Sequence, residues 1–168
     1  KTIESVLKQT FTDYEYIIID GGSSDGSIDI IKENGDKLSY WVSEPDKGIY
    51  NAMNKGILRA KGDYLQFLNS GDCLVDETIL SKVFDVENLA DIIYGDIYEV
   101  FADGDKKLRV SLTEDNLTLA NFNSNTNATI QHPASFIHKS LFSMGLYDEN
   151  YKVIADIKFF IERIILQN

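Results

Sequence analysis

The chain has one cysteine, Cys73, so no internal disulfide can form, in keeping with a reducing compartment. Cations are scarce too: 16 Lys and Arg face 27 Asp and Glu, a formal charge of −11. That field repels nucleic acid and anionic bilayers unless basic residues are gathered locally, and no basic cluster occurs, so nucleic acid is not an expected partner. No apolar run approaches the roughly 20 residues of a membrane span. The opening KTIESVLKQTF has neither an initiator Met nor the apolar segment of a secretory signal, so a fragment and a cytoplasmic setting are expected. What the sequence does have is apolar content, 43% over 168 residues, which suits one domain with a buried core.

Residues 2–9 place Ile3, Val6 and Leu7 at helical spacing. YEYIIID at 14–20 reads as a buried parallel strand, GGSSDGS at 21–27 as its turn, SIDIIKEN as a helix and LSYWVSE at 38–44 as a second strand. In PDKGIYNAMNKGILRAKG, Ile49, Met53 and Ile57 recur every four residues, which predicts a helix with that stripe in the core, ending near Gly62. DYLQFL at 63–68 is the third strand and VDETILSKVFDV the next helix. ADIIYGDIYEVF reads as one or two strands, with ADGD at 102–105 a hairpin turn before KKLRVSL. NFNSNTNATIQ is a polar loop, PASFIHKSLFSMG a short strand and helical turn, and VIADIKFFIERIILQN a closing helix. Strands alternate with helices through the first eighty residues or so, which predicts an α/β fold with a mostly parallel central sheet flanked by helices. Ligands bind such sheets at the carboxyl ends of the strands, where the polar clusters lie.

Asp20 ends the first strand, and the following glycines let the backbone turn tightly toward a ligand. Asp20 and Ser23 either meet a base or sugar or simply shape that turn. Neither GxGxxG nor a P-loop is present. After the second strand, Pro45 fixes the approach, Asp46 is a candidate N-cap, and Lys47, Asn51 and Asn54 form a polar face within reach of a sugar or phosphate. NSGD at 69–72 offers Asn69 and Asp72. A hard divalent cation takes one or two carboxylates plus substrate phosphates, so Asp72 is a candidate metal ligand, with a solvated turn aspartate as the alternative. His132 and His138 lack a metalloprotease spacing, and His138 suits a surface or capping role. Asp156, at the start of the closing helix, is either a general base or a cap.

Three blocks in order, SVLKQTFTDYEYIIIDGGSSDGS, SEPDKGIYNAMNKGILRAKGDYLQFLNSGD and IQHPASFIHKSLFSMGLYDENYKVIADIKFF, resemble family-2 glycosyltransferases of the GT-A fold over nearly the whole chain. The resemblance implies a single domain at 1–168, with a nucleotide-sugar-binding half at 1–95 and an acceptor and catalytic-base half at 96–168. It implies transfer of a sugar, with inversion, from a nucleotide-diphosphate sugar (a UDP-sugar by default) to a saccharide or lipid-linked acceptor hydroxyl in polysaccharide or glycolipid assembly. On the matching positions, Asp20 would read the donor base, Asp46 and Lys47 would line the donor pocket, Asp72 would hold Mn2+ or Mg2+, and Asp156 would be the base. His132 would lie near the donor or acceptor, alongside the polar candidates Ser23, Asn51 and Asn69.

Two motifs depart from the family pattern. NSGD replaces an aspartate-rich metal motif, and Ala155 stands where an ED pair often supplies two carboxylates. The family's first strand is also missing ahead of Lys1. Gly71 in place of a carboxylate and the missing first strand favour an alternative, a degenerate nucleotide-sugar-binding or protein-interaction domain; the presence of both Asp72 and Asp156 argues against it, and their convergence on one cleft is the discriminating observation. Peripheral attachment at the inner membrane face and homo-oligomerisation are compatible with either reading.

Overall fold

The computed structural model describes residues 1–86, 89–122 and 129–166, so most of the polar loop NFNSNTNATIQ lies outside the described residues. The first unit is strand, helix, strand: β1 (Ile17–Asp20), α2 (Ser27–Glu33) and β2 (Tyr40–Ser43) follow a short α1 (Thr2–Leu7). β1 and β2 pair in parallel from Ile17 opposite Tyr40 to Asp20 opposite Ser43, which sets Asp20 and Ser43 side by side at the carboxyl end.

Helix α3 (Ile49–Arg59) lies on β1, with the small Gly56 facing Ile19. Its buried residues are Tyr50, Asn54 and Ile57. The expected stripe of Ile49, Met53 and Ile57 is therefore turned by about one position, and Ile49 is 44% exposed. The physical reason is polar: Tyr50 and Asn54 find hydrogen-bond partners in the segment 147–156, and those partners hold the rotation against the aliphatic preference.

β3 (Tyr64–Leu65), α4 (Ile79–Phe84) and β4 (Ile92–Tyr94) form the next strand, helix, strand unit. Both strands pair antiparallel with β7 (Ser135–His138), which lies between them. β3 and β4 thus run in the same direction, as the sequence alternation implies, but among the described residues only β1 and β2 form a parallel ladder. The late strand occupies the centre of this sheet and is its most deeply buried: Ser135, Phe136 and Ile137 are buried, Ile137 completely. β3 is shorter than the expected 63–68. Past Leu65 the Gln66 side chain donates to the Pro133 carbonyl at 3.0 Å, and Phe67 stacks on His132.

β5 (Ile97–Val100) and β6 (Lys106–Arg109) form the expected hairpin across ADGD, with Gly104 at φ +91°. A short α5 (Leu119–Phe122) follows, and α6 (Ala155–Phe160) continues as a wider π turn over Ile161–Ile165. Phe159 and Phe160 are almost wholly buried, with Phe142 stacked on Phe159 at 4.7 Å between ring centroids. These rings join Ile57, Ile130, Ile137 and Tyr147 in one core, which backs the site described next. Among the described residues no helix is long and apolar enough to cross a membrane.

Candidate active site

β1 delivers Asp20 into a knot of its own chain. Its Oδ2 accepts from the Gly22 and Ser23 amides, both at 3.0 Å, and from Ser43 Oγ at 2.6 Å, while Oδ1 accepts from Ser23 Oγ at 2.5 Å. Burial works to raise the carboxyl's pKa, but the donors from Ser23, Ser43 and Gly22 outweigh it and pull the value down to about 2. Gly22 sits at φ +89°, where glycine is favoured, and a methyl at Gly21 would collide with the Asp46 carboxylate. The turns after β1 and β2 are thereby pressed together. The turn-shaping role weighed for Asp20 and Ser23 is realised here.

Asp46 does not cap α3. The cap position is Gly48, whose amide donates to Asp46 Oδ1 at 2.8 Å, so Asp46 shapes the approach to the helix. The Lys47 amide donates to Asn51 Oδ1 at 3.3 Å, leaving the exposed Lys47 side chain at the mouth of the turn.

The NSGD turn closes on itself: the Asp72 amide donates to the Asn69 carbonyl at 3.0 Å, and the Asn69 amide to Asp72 Oδ2 at 3.2 Å. It is held by the N-terminal segment. The Gly71 amide donates to Thr2 Oγ1 and the Leu74 amide to Ser5 Oγ, while the buried Gln9 bridges the Asp76 carbonyl and the Leu80 amide. Among the described residues no group of three His, Cys, Asp or Glu is placed to hold a metal ion. One carboxylate suits only an ion that draws its remaining ligands from substrate oxygens and water.

The third part of the site lies between α3 and α6. Asp156 stands in the first turn of α6, and Tyr50 Oη lies 2.7 Å from Asp156 Oδ1 and 2.8 Å from the Val153 carbonyl. Asn54, 5% exposed, donates to the Tyr147 carbonyl and Glu149 Oε1 and accepts from the Tyr147 amide. Asn51 adds a bond to Glu149 Oε2 at 3.0 Å, and these two amides hold the Glu149 carboxyl below its ordinary range. Behind them the buried His132 pairs through Nε2 with Tyr147 Oη at 2.8 Å and stacks on Phe67. Burial lowers the His132 pKa, with the Asp156 charge opposing, and burial together with that charge raises Tyr147 well above its usual range. His138 accepts from the Ser140 amide and caps the turn that follows, the capping role foreseen for it.

The structure thus joins Asp20, Ser23 and Asp46 in one knot, Lys47 and Asn51 at the start of α3, and His132 and Asp156 around Tyr50 and Tyr147. Lys152 Nζ donates to the Lys47 carbonyl at 3.2 Å and to the Glu149 carbonyl at 3.4 Å, beside a shallow open depression lined by Lys47, Tyr50, Asn51 and Glu149. Among the described residues no hydrogen bond ties Asn69 or Asp72 to either of the last two groups. Sequence reasoning missed Tyr50, Tyr147 and Glu149. The one available signal was an aromatic hydroxyl, Tyr50, inside a helix whose aliphatic stripe looked sufficient.

Residues 1–146 match the family model for Glycosyl transferase family 2. A PGL/p-HBAD biosynthesis glycosyltransferase of Mycobacterium bovis (BCG) is 31% identical over 94% of this chain and 60% of its own length. An uncharacterized glycosyltransferase of Mycobacterium tuberculosis (CDC 1551) is 33% identical over 99% of this chain and 63% of its own. The chain therefore spans somewhat under two thirds of these relatives. Among solved structures, Staphylococcus aureus TarS residues 1–349, crystallised with UDP, superposes at a TM-score of 0.64 over 96% of this chain and 49% of its own at 16% identity, which speaks for the fold alone. The chain has the GT-A-like α/β fold and belongs to glycosyltransferase family 2.

Proposed function

We propose that this chain carries the donor site and catalytic base of an inverting glycosyltransferase that moves a sugar from a nucleotide-diphosphate sugar, by default a UDP-sugar, to an acceptor hydroxyl. The observation that carries this reading is the Tyr50 to Asp156 hydrogen bond, which fixes a carboxylate from far along the chain beside the start of α3. The UDP in the TarS crystal supports a uridine donor for a chain of this fold.

The knot of Asp20, Ser23 and Asp46 presents a close-packed backbone turn against which a nucleoside can rest, with Asn69 a candidate for the sugar, while the buried His132 supports the site from behind through Tyr147. Lys47 and Asn51 flank the diphosphate, and Lys47 offsets charge that grows on it as the sugar leaves. Asp156 takes the proton of the acceptor hydroxyl as that oxygen attacks the anomeric carbon from the face opposite the departing diphosphate. A single displacement of that kind inverts the anomeric centre. Asp72 would hold Mn2+ or Mg2+ together with donor oxygens, and the ion would supply positive charge to the diphosphate when bound. The acceptor is a saccharide or a lipid-linked saccharide, met by a cytoplasmic protein working at the inner membrane face.

The lone carboxylate at NSGD favours a second reading, a nucleotide-sugar-binding domain without transfer. The two separate in one experiment: the full chain is incubated with a panel of nucleotide sugars and saccharide or lipid-linked acceptors, and both nucleoside diphosphate release and glycosylated product are followed. Transfer abolished by Asp156→Asn supports the enzyme. Nucleotide binding with no product from any donor supports the second reading.

A further inference from the structure

Tyr50 has one hydroxyl proton and two acceptors at nearly equal distance, Asp156 Oδ1 at 2.7 Å and the Val153 carbonyl at 2.8 Å. One proton cannot satisfy both. With lengths this similar, charge decides which acceptor receives it: an ionised carboxylate outcompetes a neutral amide carbonyl, and a protonated carboxyl does not. Burial and the neighbouring Asp156 charge push the Tyr50 hydroxyl well above its ordinary pKa, so it stays protonated throughout. Among the described residues Asp156 Oδ2 has no hydrogen-bond partner, so one oxygen of the pair is held and the other is free for an acceptor. The ring itself is buried against Tyr147 at 5.6 Å between centroids, so the hydroxyl is carried on a fixed base.

We infer that Tyr50 is a positioning residue for Asp156, its single proton donated to Oδ1 while Asp156 is charged and swung to the Val153 carbonyl once Asp156 Oδ2 has taken the acceptor's proton. The inference rests on Asp156 as the base. The balance is simple: the acceptor O–H bond breaks, an O–H bond forms on Oδ2, and Tyr50 keeps its own proton and changes only its acceptor. The carboxylate is held before the proton arrives and released from that hold afterwards. The other groups whose charge bears on this pair are His132, ahead of β7, and Tyr147, in the loop before α6, while Lys158 on the same helix is engaged by Asp148.

The test follows carbonyl and carboxyl carbons by NMR through a pH titration of the full chain, alongside steady-state kinetics of Tyr50→Phe, a change that keeps the ring. The expected result is that the Val153 carbonyl signal moves with the same midpoint as the Asp156 carboxyl, and that this shared movement vanishes in Tyr50→Phe. In kinetics, Tyr50→Phe lowers kcat roughly tenfold, the scale of a hydrogen bond to a charged group, leaves the donor KM within about twofold, and adds nothing in an Asp156→Asn background. A Val153 carbonyl that ignores the Asp156 titration, or an equal kcat loss from Tyr50→Phe with and without Asp156, overturns the inference. If the carbons titrate together while Asp156→Asn still transfers sugar at the wild-type rate, the base assignment fails and the proton swing stands.

Discussion

The two carboxylates at the centre of this account live in opposite surroundings. Asp20 spends both oxygens on donors within its own and the adjacent strand end, three of the four from residues two or three positions away. Asp156 has one oxygen held by a residue 106 positions distant and the other without a partner among the described residues. The first is a structural knot whose satisfied lone pairs fix backbone geometry. The second is poised: held on one side, open on the other. A saturated carboxylate builds a site, and a half-satisfied one has capacity left for chemistry.

The sharpest break of that comparison is Asp156→Asn, which removes the open oxygen's basicity at nearly constant shape. Transfer should fall by about 10²–10⁴-fold, the usual share of a general base, while UDP affinity is unchanged, as an activity assay and calorimetry together would show. Next comes the clamp that brings the two regions together. Asn54→Ala removes three hydrogen bonds, the two to the Tyr147 backbone buried and the one to Glu149 partly so, and leaves the Tyr147 amide and carbonyl unpaired. The expected cost is about 2 kcal/mol, seen as a fall in melting temperature of roughly 4–8 °C for a chain of this size.

A third change strikes the knot. Gly21→Ala drives a methyl into the Asp46 carboxylate, and overpacking of that kind costs about 1–3 kcal/mol. Expressed at the nucleotide site, it appears as a roughly tenfold weaker UDP affinity, with the Asp156-dependent step intact in saturating donor. The smallest effect is one of pH. The folded value for Asp20, about 2, lies below its unfolded value, so its stabilisation is complete above that unfolded value, about 3.9, and is lost as pH falls toward the folded one. Urea midpoints should drop more steeply across that window for the wild type than for Asp20→Asn. Parallel curves would show that the knot contributes nothing through its charge.

The same contrast explains what was legible in the sequence. IIIDGGSSDG announces its turn because the contacts of Asp20 lie mostly within a few residues and need glycine at a fixed place, and ADGD announces its hairpin for the same reason. The insertion of β7 between β3 and β4 was hidden, since strand order is settled by which late segment best fills the core, and Phe136 and Ile137 do so only in three dimensions. The rotation of α3 was hidden as well. Periodicity favours Ile49 and Met53, and the polar partners that turn Tyr50 and Asn54 inward are about a hundred residues away. The resemblance singled out Asp156, while the tyrosine that hydrogen-bonds it went unmarked. The turn residues of NSGD marked its turn, while the docking of that turn and the residue pair after it on Thr2 and Ser5 of α1 lay almost seventy positions away in sequence.

The most direct test is titration calorimetry of UDP into the full chain, with and without Mn2+, for the wild type and Asp72→Ala. The account predicts saturable UDP binding that Mn2+ strengthens, with the strengthening lost in Asp72→Ala. A folded chain that binds no UDP under either condition would contradict the donor site, and strengthening that survives Asp72→Ala would contradict the metal assignment.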